Sequence, residues 1–155
     1  MKLFTRISSM FFALMFASTF SYAEGLEIQN PWVRMPPPVA DTAAGYMTLT
    51  NNSRTAIEIV SVTSSVSESA EFHSMVMHEG MMHMNKMDDV VIAAGESLVF
   101  DTGSNHLMLI GLEHVLHASD MITLSIKTKD NKTYTINAEV IDMRKNAQSQ
   151  QHHHH

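Results

Sequence analysis

Apolar and polar residues alternate in short segments along most of the chain, which is the pattern of β-strands that bury one face. Clear examples lie at 57–62, 121–128 and 133–141. Turn-forming residues such as Gly80 and Gly95 separate the segments, and short strands with frequent turns are typical of sandwiches and barrels. The pattern predicts an all-β fold, and we expect a Greek-key β-sandwich.

The first 23 residues do not follow this pattern. Lys2 and Arg6 precede an apolar run, and the segment closes on a small-x-small sequence that ends at Ala23. These are the features of a secretory signal peptide, and we expect cleavage after about Ala23. The apolar part is short compared with the roughly 20 residues of a membrane span, so no stable membrane insertion is expected after cleavage.

The remaining chain divides into a folded part and a tail. We expect a single domain over residues 24–144 and a flexible, His-rich tail over 145–155. The tail ends in His152 to His155, which fits either a native extension or the remnant of a purification tag.

The composition excludes several classes of function. The chain has no cysteine, which rules out a disulfide framework, a thiolate metal site and the lipid attachment that requires a cysteine at the cleavage point. It is acidic, with 10 Lys and Arg against 16 Asp and Glu, so we expect no nucleic-acid partner. No nucleophile elbow, H-E-x-x-H motif or Gly-rich phosphate loop is present, and we expect no enzymatic activity.

The most unusual segment is methionine-rich and reads EFHSMVMHEGMMHM, with three histidines and five methionines at positions 71–84. Six of the 14 methionines lie between Met75 and Met87, whereas methionines used only for packing would be spread through the core. Thioether sulfur is a soft, uncharged donor and imidazole is a borderline one, and together they suit Cu(I). Zn²⁺ would favour thiolate or more imidazole, and Ca²⁺ and Mg²⁺ would favour oxygen.

A second pair of candidate ligands, His106 and Met108, lies downstream in the sequence HLML. Residues two apart on a strand share a face, so these two side chains point the same way while Leu107 and Leu109 point towards the core.

The spacing of these residues resembles a known signature. His73-x10-Met84-x21-His106-x-Met108 is similar to the ligand motif of the PCu(A)C family of periplasmic copper(I) chaperones. The resemblance extends over about residues 26–141, because further motifs of the family have counterparts here. These are Trp32-Val33-Arg34, Ala44-Gly45-Tyr46, Asn51 and the sequence HLML that begins at His106. One departure is the run Gly103-Ser104-Asn105, where the family usually has two glycines.

The resemblance implies a cupredoxin-like β-sandwich that holds one Cu(I) at an exposed end through His73, Met84, His106 and Met108. It also implies a periplasmic chaperone that delivers copper for cytochrome c oxidase assembly. The implied partners are the copper A domain of the oxidase, a Sco-type thioredoxin-like protein, or both. The alternative is a periplasmic copper or silver buffering protein without an oxidase client. A blue-copper electron carrier is excluded because its site needs a cysteine.

Further copper sites remain open at the sequence level. The histidine tail is a candidate for Cu(II), which imidazole favours more than thioether does. The other candidates for secondary sites are Met75, Met77, His78, Met81, Met82 and His83.

Overall fold

The computed structural model describes residues 25–144. The predicted signal peptide and the predicted tail lie outside the described residues. The described chain forms ten strands: β1 (Leu26–Arg34), β2 (Thr42–Asn51), β3 (Ile57–Ser64), β4 (Ser67–His78), β5 (Met81–Lys86), β6 (Val90–Ile92), β7 (Ser97–Phe100), β8 (His106–Leu112), β9 (Met121–Thr128) and β10 (Thr133–Ile141). Between residues 25 and 144 there is no helix long and apolar enough to cross a membrane.

The strands form one hydrogen-bonded sheet in the order β5-β4-β8-β2-β1-β10-β9-β3-β6, and β7 pairs with β2 beside β8. Only β1 and β10 run parallel, and the other neighbours are antiparallel. Strands β3 and β4 are far apart along this order, yet they lie against each other. The sheet therefore curls over a single core, and the predicted all-β class is confirmed.

The core is built from the inward-facing residues of the strands, and these alternate along each strand with more exposed residues. Leu107 and Leu109 of β8 are completely buried, as are Ile122, Leu124 and Ile126 of β9. In both strands the residues between them are more exposed, which is the period-2 pattern of a strand with one buried face. The predicted inward direction of Leu107 and Leu109 is confirmed.

Two of the motifs behind the family resemblance lie opposite each other. Trp32 of β1 is the cross-strand partner of Tyr46 of β2, and the two ring centroids are 4.5 Å apart. The neighbouring Gly45 faces Leu107, and a Cβ atom at Gly45 would lie 3.3 Å from that side chain. A glycine here lets β8 pack closely against β2, immediately beside the candidate metal ligands.

Strand β4 continues past the core into a hairpin with β5. Phe72 is buried and its ring lies 4.8 Å from that of Phe100, whereas Val76, on the same face of β4, is 46% exposed. All six residues of β5 are exposed, and β5 is the edge strand of the sheet. Glu79 and Gly80 connect the two strands with φ values of 51° and 80°, as in the two-residue turns that match the twist of a hairpin.

We expect Phe72→Ala to lower the free energy of unfolding by about 3–5 kcal/mol, because it leaves a cavity against Phe100. Val76→Ala is the matched control on the same face of the same strand, and we expect a change within about 0.5 kcal/mol since its side chain lies outside the core. Denaturant unfolding of both variants measures the difference. Equal losses would contradict the view that β4 leaves the core after Phe72.

Candidate metal centre

The pairing of β4 with β8 brings the two predicted histidine ligands together. His73 and His106 are directly opposite each other across the two strands, and opposite residues of an antiparallel pair point to the same face. Their neighbours Phe72 and Leu107 are buried in the core, so both imidazoles lie on the outer face. The rings are stacked, with centroids 5.9 Å apart and planes inclined by 25°.

The β4–β5 hairpin brings Met84 to the same place. Met84 is the cross-strand partner of Met75, which lies on the same face of β4 as His73. The Met84 sulfur lies 3.1 Å from Nε2 of His106. Although β5 and β8 are not adjacent in the sheet, the long side chains of Met84 and His106 meet across β4.

Met108 completes the predicted set on this face. It lies two residues beyond His106 on β8, and its cross-strand partner is Glu71 of β4. The structure thus places all four predicted residues on the outer face of three neighbouring strands, β5, β4 and β8. Met108 is half-buried, whereas Met84 is exposed on the edge strand. The four candidate ligands therefore differ in how accessible they are from solvent.

The surroundings of His106 determine which of its nitrogens is free. Nδ1 lies 3.2 Å from the backbone carbonyl oxygen of Ser104, and a carbonyl can only accept a hydrogen bond. In the neutral ring the proton is therefore on Nδ1, and the lone pair of Nε2 faces the sulfur of Met84. Two uncharged electron-pair donors that face each other at 3.1 Å form a natural pair of ligands for a soft cation.

The loop before β8 holds this carbonyl in place despite its departure from the family sequence. Asp101 and Asn105 close the loop, with the Asp101 amide donating to the Asn105 carbonyl, and the Ser104 amide donates to the carbonyl of Asp101. Gly103 has a φ of 81°, a conformation that favours glycine. One glycine is therefore enough to make the turn, and β8 begins at His106.

His73 has the opposite tautomer. Nε2 lies 3.0 Å from a carboxylate oxygen of Glu71, which can only accept, so in the neutral ring the proton is on Nε2 and the lone pair is on Nδ1. Nδ1 is buried and has no hydrogen-bond partner. A buried nitrogen without a partner is unfavourable unless something else binds it, and a metal ion would satisfy this lone pair.

Glu71 was not identified from the sequence as part of the site. Its second oxygen accepts a hydrogen bond of 2.8 Å from the ammonium of Lys86. The hydrogen bond from Lys86, and after it the one from His73, holds the pKa of Glu71 below its ordinary value. The carboxylate is therefore ionised at neutral pH and orients His73, as carboxylates commonly orient metal-binding histidines. The sequence contains one indication of this role, because Glu71 and His73 are two residues apart on one strand and therefore share a face.

The surrounding side chains favour a soft ion over other metals. Within residues 25–144, no group of three or more His, Cys, Asp and Glu side chains is arranged to hold a metal. The further donors on the face of the two histidines are the thioethers of Met84 and Met108. A surface cleft of about 730 Å³ lies elsewhere, between residues 53–58 and 129–134, and its lining contains neither histidine nor methionine. The candidate metal ligands therefore lie on an open face of the sheet and not in this cleft.

Comparison with known sequences gives a family. Residues 26–140 match the sequence model of the LpqE-like family, which is described as a lipoprotein family. A protein of Leifsonia xyli subsp. xyli, named as the lipoprotein Lxx21020, is 31% identical over 121 residues, which are 77% of this chain and 72% of that protein.

Comparison with solved structures gives the same fold. The copper-bound PCuAC domain of PmoF2 superposes with a TM-score of 0.65 at 20% identity, covering 78% of this chain and 97% of that domain. Cu(I)-bound DR1885 of Deinococcus radiodurans gives a TM-score of 0.62 at 25% identity, covering 82% of this chain and 84% of the other. The predicted cupredoxin-like fold of the PCu(A)C type is confirmed.

We expect the metal-free protein to show complementary histidine tautomers, with the proton on Nε2 of His73 and on Nδ1 of His106. Long-range ¹H–¹⁵N correlation spectra distinguish the two forms. Glu71→Gln should shift His73 towards the Nδ1–H form, because the ionised acceptor is lost, and Glu79→Gln in the hairpin turn should leave both rings unchanged. Finding His73 protonated on Nδ1 in the parent protein would refute the assignment.

Proposed function

The chain belongs to the LpqE-like family, and on that basis and on the geometry of the outer face we propose that it is an extracytoplasmic carrier of Cu(I). In this proposal, His73, Met84, His106 and Met108 hold one ion. The observation that carries the proposal is the meeting of three of these side chains: Nε2 of His106 lies 3.1 Å from the Met84 sulfur, beside the stacked ring of His73.

The donor set explains the choice of Cu(I). Two imidazoles and two thioethers contribute no negative charge, and soft donors of this kind favour the reduced ion over Cu(II) or Zn²⁺. The nearby carboxylate of Glu71 is engaged with His73 and Lys86. A neutral donor set on an open face supports binding followed by release, which is what a carrier requires.

The relatives support copper as the cargo. PmoF2 and DR1885 are named as copper-bound and Cu(I)-bound, respectively, and both share the fold of this chain. We carry the metal over to this chain because its own His and Met side chains converge on one face. The identities of 20% and 25% alone would support only the fold.

The place of action follows from the family and from the first residues. Relatives described as lipoproteins act outside the cytoplasm, where lipidated proteins are anchored. This chain has no cysteine and therefore no residue for the usual lipid attachment. We propose that it is exported to the periplasm by the predicted signal peptide and released after about Ala23.

We further propose that the copper is delivered for the assembly of cytochrome c oxidase. The recipient would be its copper A domain, alone or with a Sco-type thioredoxin-like protein. This step rests on the resemblance to the PCu(A)C chaperones and on the exposed position of Met84 at the sheet edge, where an incoming protein can reach the ion. Buffering of copper or silver uses the same ligands and differs only in having no recipient.

We expect Met84→Ala and Met108→Ala each to weaken Cu(I) binding by about tenfold or more, since each removes a direct ligand. His73→Ala/His106→Ala should abolish tight binding. Met121→Ala, which removes an exposed methionine on β9, is the control and should bind as the parent does. Competition with a chromogenic Cu(I) chelator measures the affinities, and circular dichroism checks the fold. Tight binding by the double histidine variant would eliminate the proposed ligand set.

Delivery is tested by mixing the Cu(I)-loaded protein with a copper-free copper A domain, with and without a reduced Sco-type protein. For a chaperone we expect direct transfer, so that copper appears in the recipient faster than Cu(I) dissociates spontaneously from the carrier. The copper content of the recipient, measured after it is separated from the carrier, follows the transfer. Copper that stays on the carrier in both mixtures would favour buffering over delivery.

A further inference from the structure

We propose that the β4–β5 hairpin carries a second site for a soft monovalent ion, Cu(I) or Ag(I), formed by Met75, Met77 and Met82. This thioether site lies next to the primary site and binds more weakly. The inference rests on the proposed function because the second site is expected to serve the same cargo.

The register of the hairpin places these sulfurs together. Met77 is directly opposite Met82, and Met75 is directly opposite Met84. Directly opposite residues share a face, and their Cβ atoms lie about 4.5–5.5 Å apart, so the flexible thioethers of a pair can reach one ion. Met75 and Met77 are two and four residues after His73 on β4, so both pairs lie on the same outer face as the primary site.

Packing does not account for Met77 and Met82. Met77 is 62% exposed and Met82 is 48% exposed, and no residue of β5 is buried. Exposed apolar side chains on an edge strand favour aggregation and are usually replaced by charged residues. An exposed side chain does not need the volume of methionine for packing. Binding of a soft ion would use the thioether of each of these residues.

The type of donor changes along the hairpin. The two methionine pairs are separated by two residues, or about 7 Å along the strand. The outer pair offers thioethers alone, whereas Met84 of the inner pair already faces the imidazole of His106. Because imidazole adds a stronger donor for copper than a further thioether, we expect an ion to bind more tightly at the primary site than at the outer one.

The opposite face of the same hairpin carries a different set of donors. His78, Met81 and His83 lie there, and the two imidazole rings are 6.1 Å apart in an edge-to-face arrangement. Met81 is 60% exposed, so it is as accessible to Ag(I) as Met77. It has no methionine opposite it, since its cross-strand partner is His78.

The experiment is a titration of the full chain with Ag(I), a redox-inert substitute for Cu(I), with ¹³C-labelled methionine methyl groups observed by NMR. The first equivalent should shift the methyl signals of Met84 and Met108. Further Ag(I) should shift those of Met75, Met77 and Met82. Met121, remote on β9, should not respond. Signals of Met77 and Met82 that move no more than that of Met121 would overturn the second site.

A pair of double variants tests the assignment. Met77→Leu/Met82→Leu retains apolar side chains but removes both sulfurs, and we expect it to weaken the second binding step about tenfold or more while leaving the first unchanged. Met121→Leu/Met143→Leu removes the same number of exposed thioethers outside the hairpin and should retain both steps. Amide shifts of β5 verify that the hairpin is intact, and an unchanged second step in the first variant refutes the proposal.

The outcome separates this inference from the proposed function. If the first equivalent fails to reach Met84 and Met108, the primary site is wrong. If it reaches them and no second step involves Met77 and Met82, only the thioether site is wrong, and the exposed methionines would then be a surface for contact with another protein.

Discussion

The antiparallel register between β4 and β8 is the constraint on which the site depends. It places His73 opposite His106, and it is held by the inward-facing Phe72 and Leu107, which are both buried. Because side chains alternate between faces, a shift of one residue in either strand would turn an imidazole into the core and a large apolar side chain into water. The same packing that stabilises the fold therefore also sets the position of the donors.

One carboxylate and one backbone carbonyl orient the two imidazoles, each through the nitrogen that is not assigned to the metal. Glu71 contacts Nε2 of His73 and leaves the buried Nδ1 without a partner. Lys86 balances the charge of Glu71 from β5. The carbonyl of Ser104 plays the corresponding part for His106. Each imidazole is thus held by one nitrogen, and its other nitrogen is available for a metal.

The strands and their faces could be predicted from the sequence because alternation is a local property. The expected inward direction of Leu107 and Leu109 agrees with the structure. The contacts of Glu71 with Lys86 could not be predicted, since they depend on which strands are neighbours and in what register. The approach of Met84 to His106 across β4 was reached only through the family spacing.

X-ray absorption at the copper edge of the Cu(I)-loaded protein tests the central claim most directly, because it identifies the atoms bound to the metal. We expect the ion to be bound by both imidazole nitrogen and thioether sulfur, with the sulfur contribution reduced in Met84→Ala and in Met108→Ala. Binding by nitrogen and oxygen without sulfur, or a sulfur contribution that neither substitution reduces, would contradict this claim.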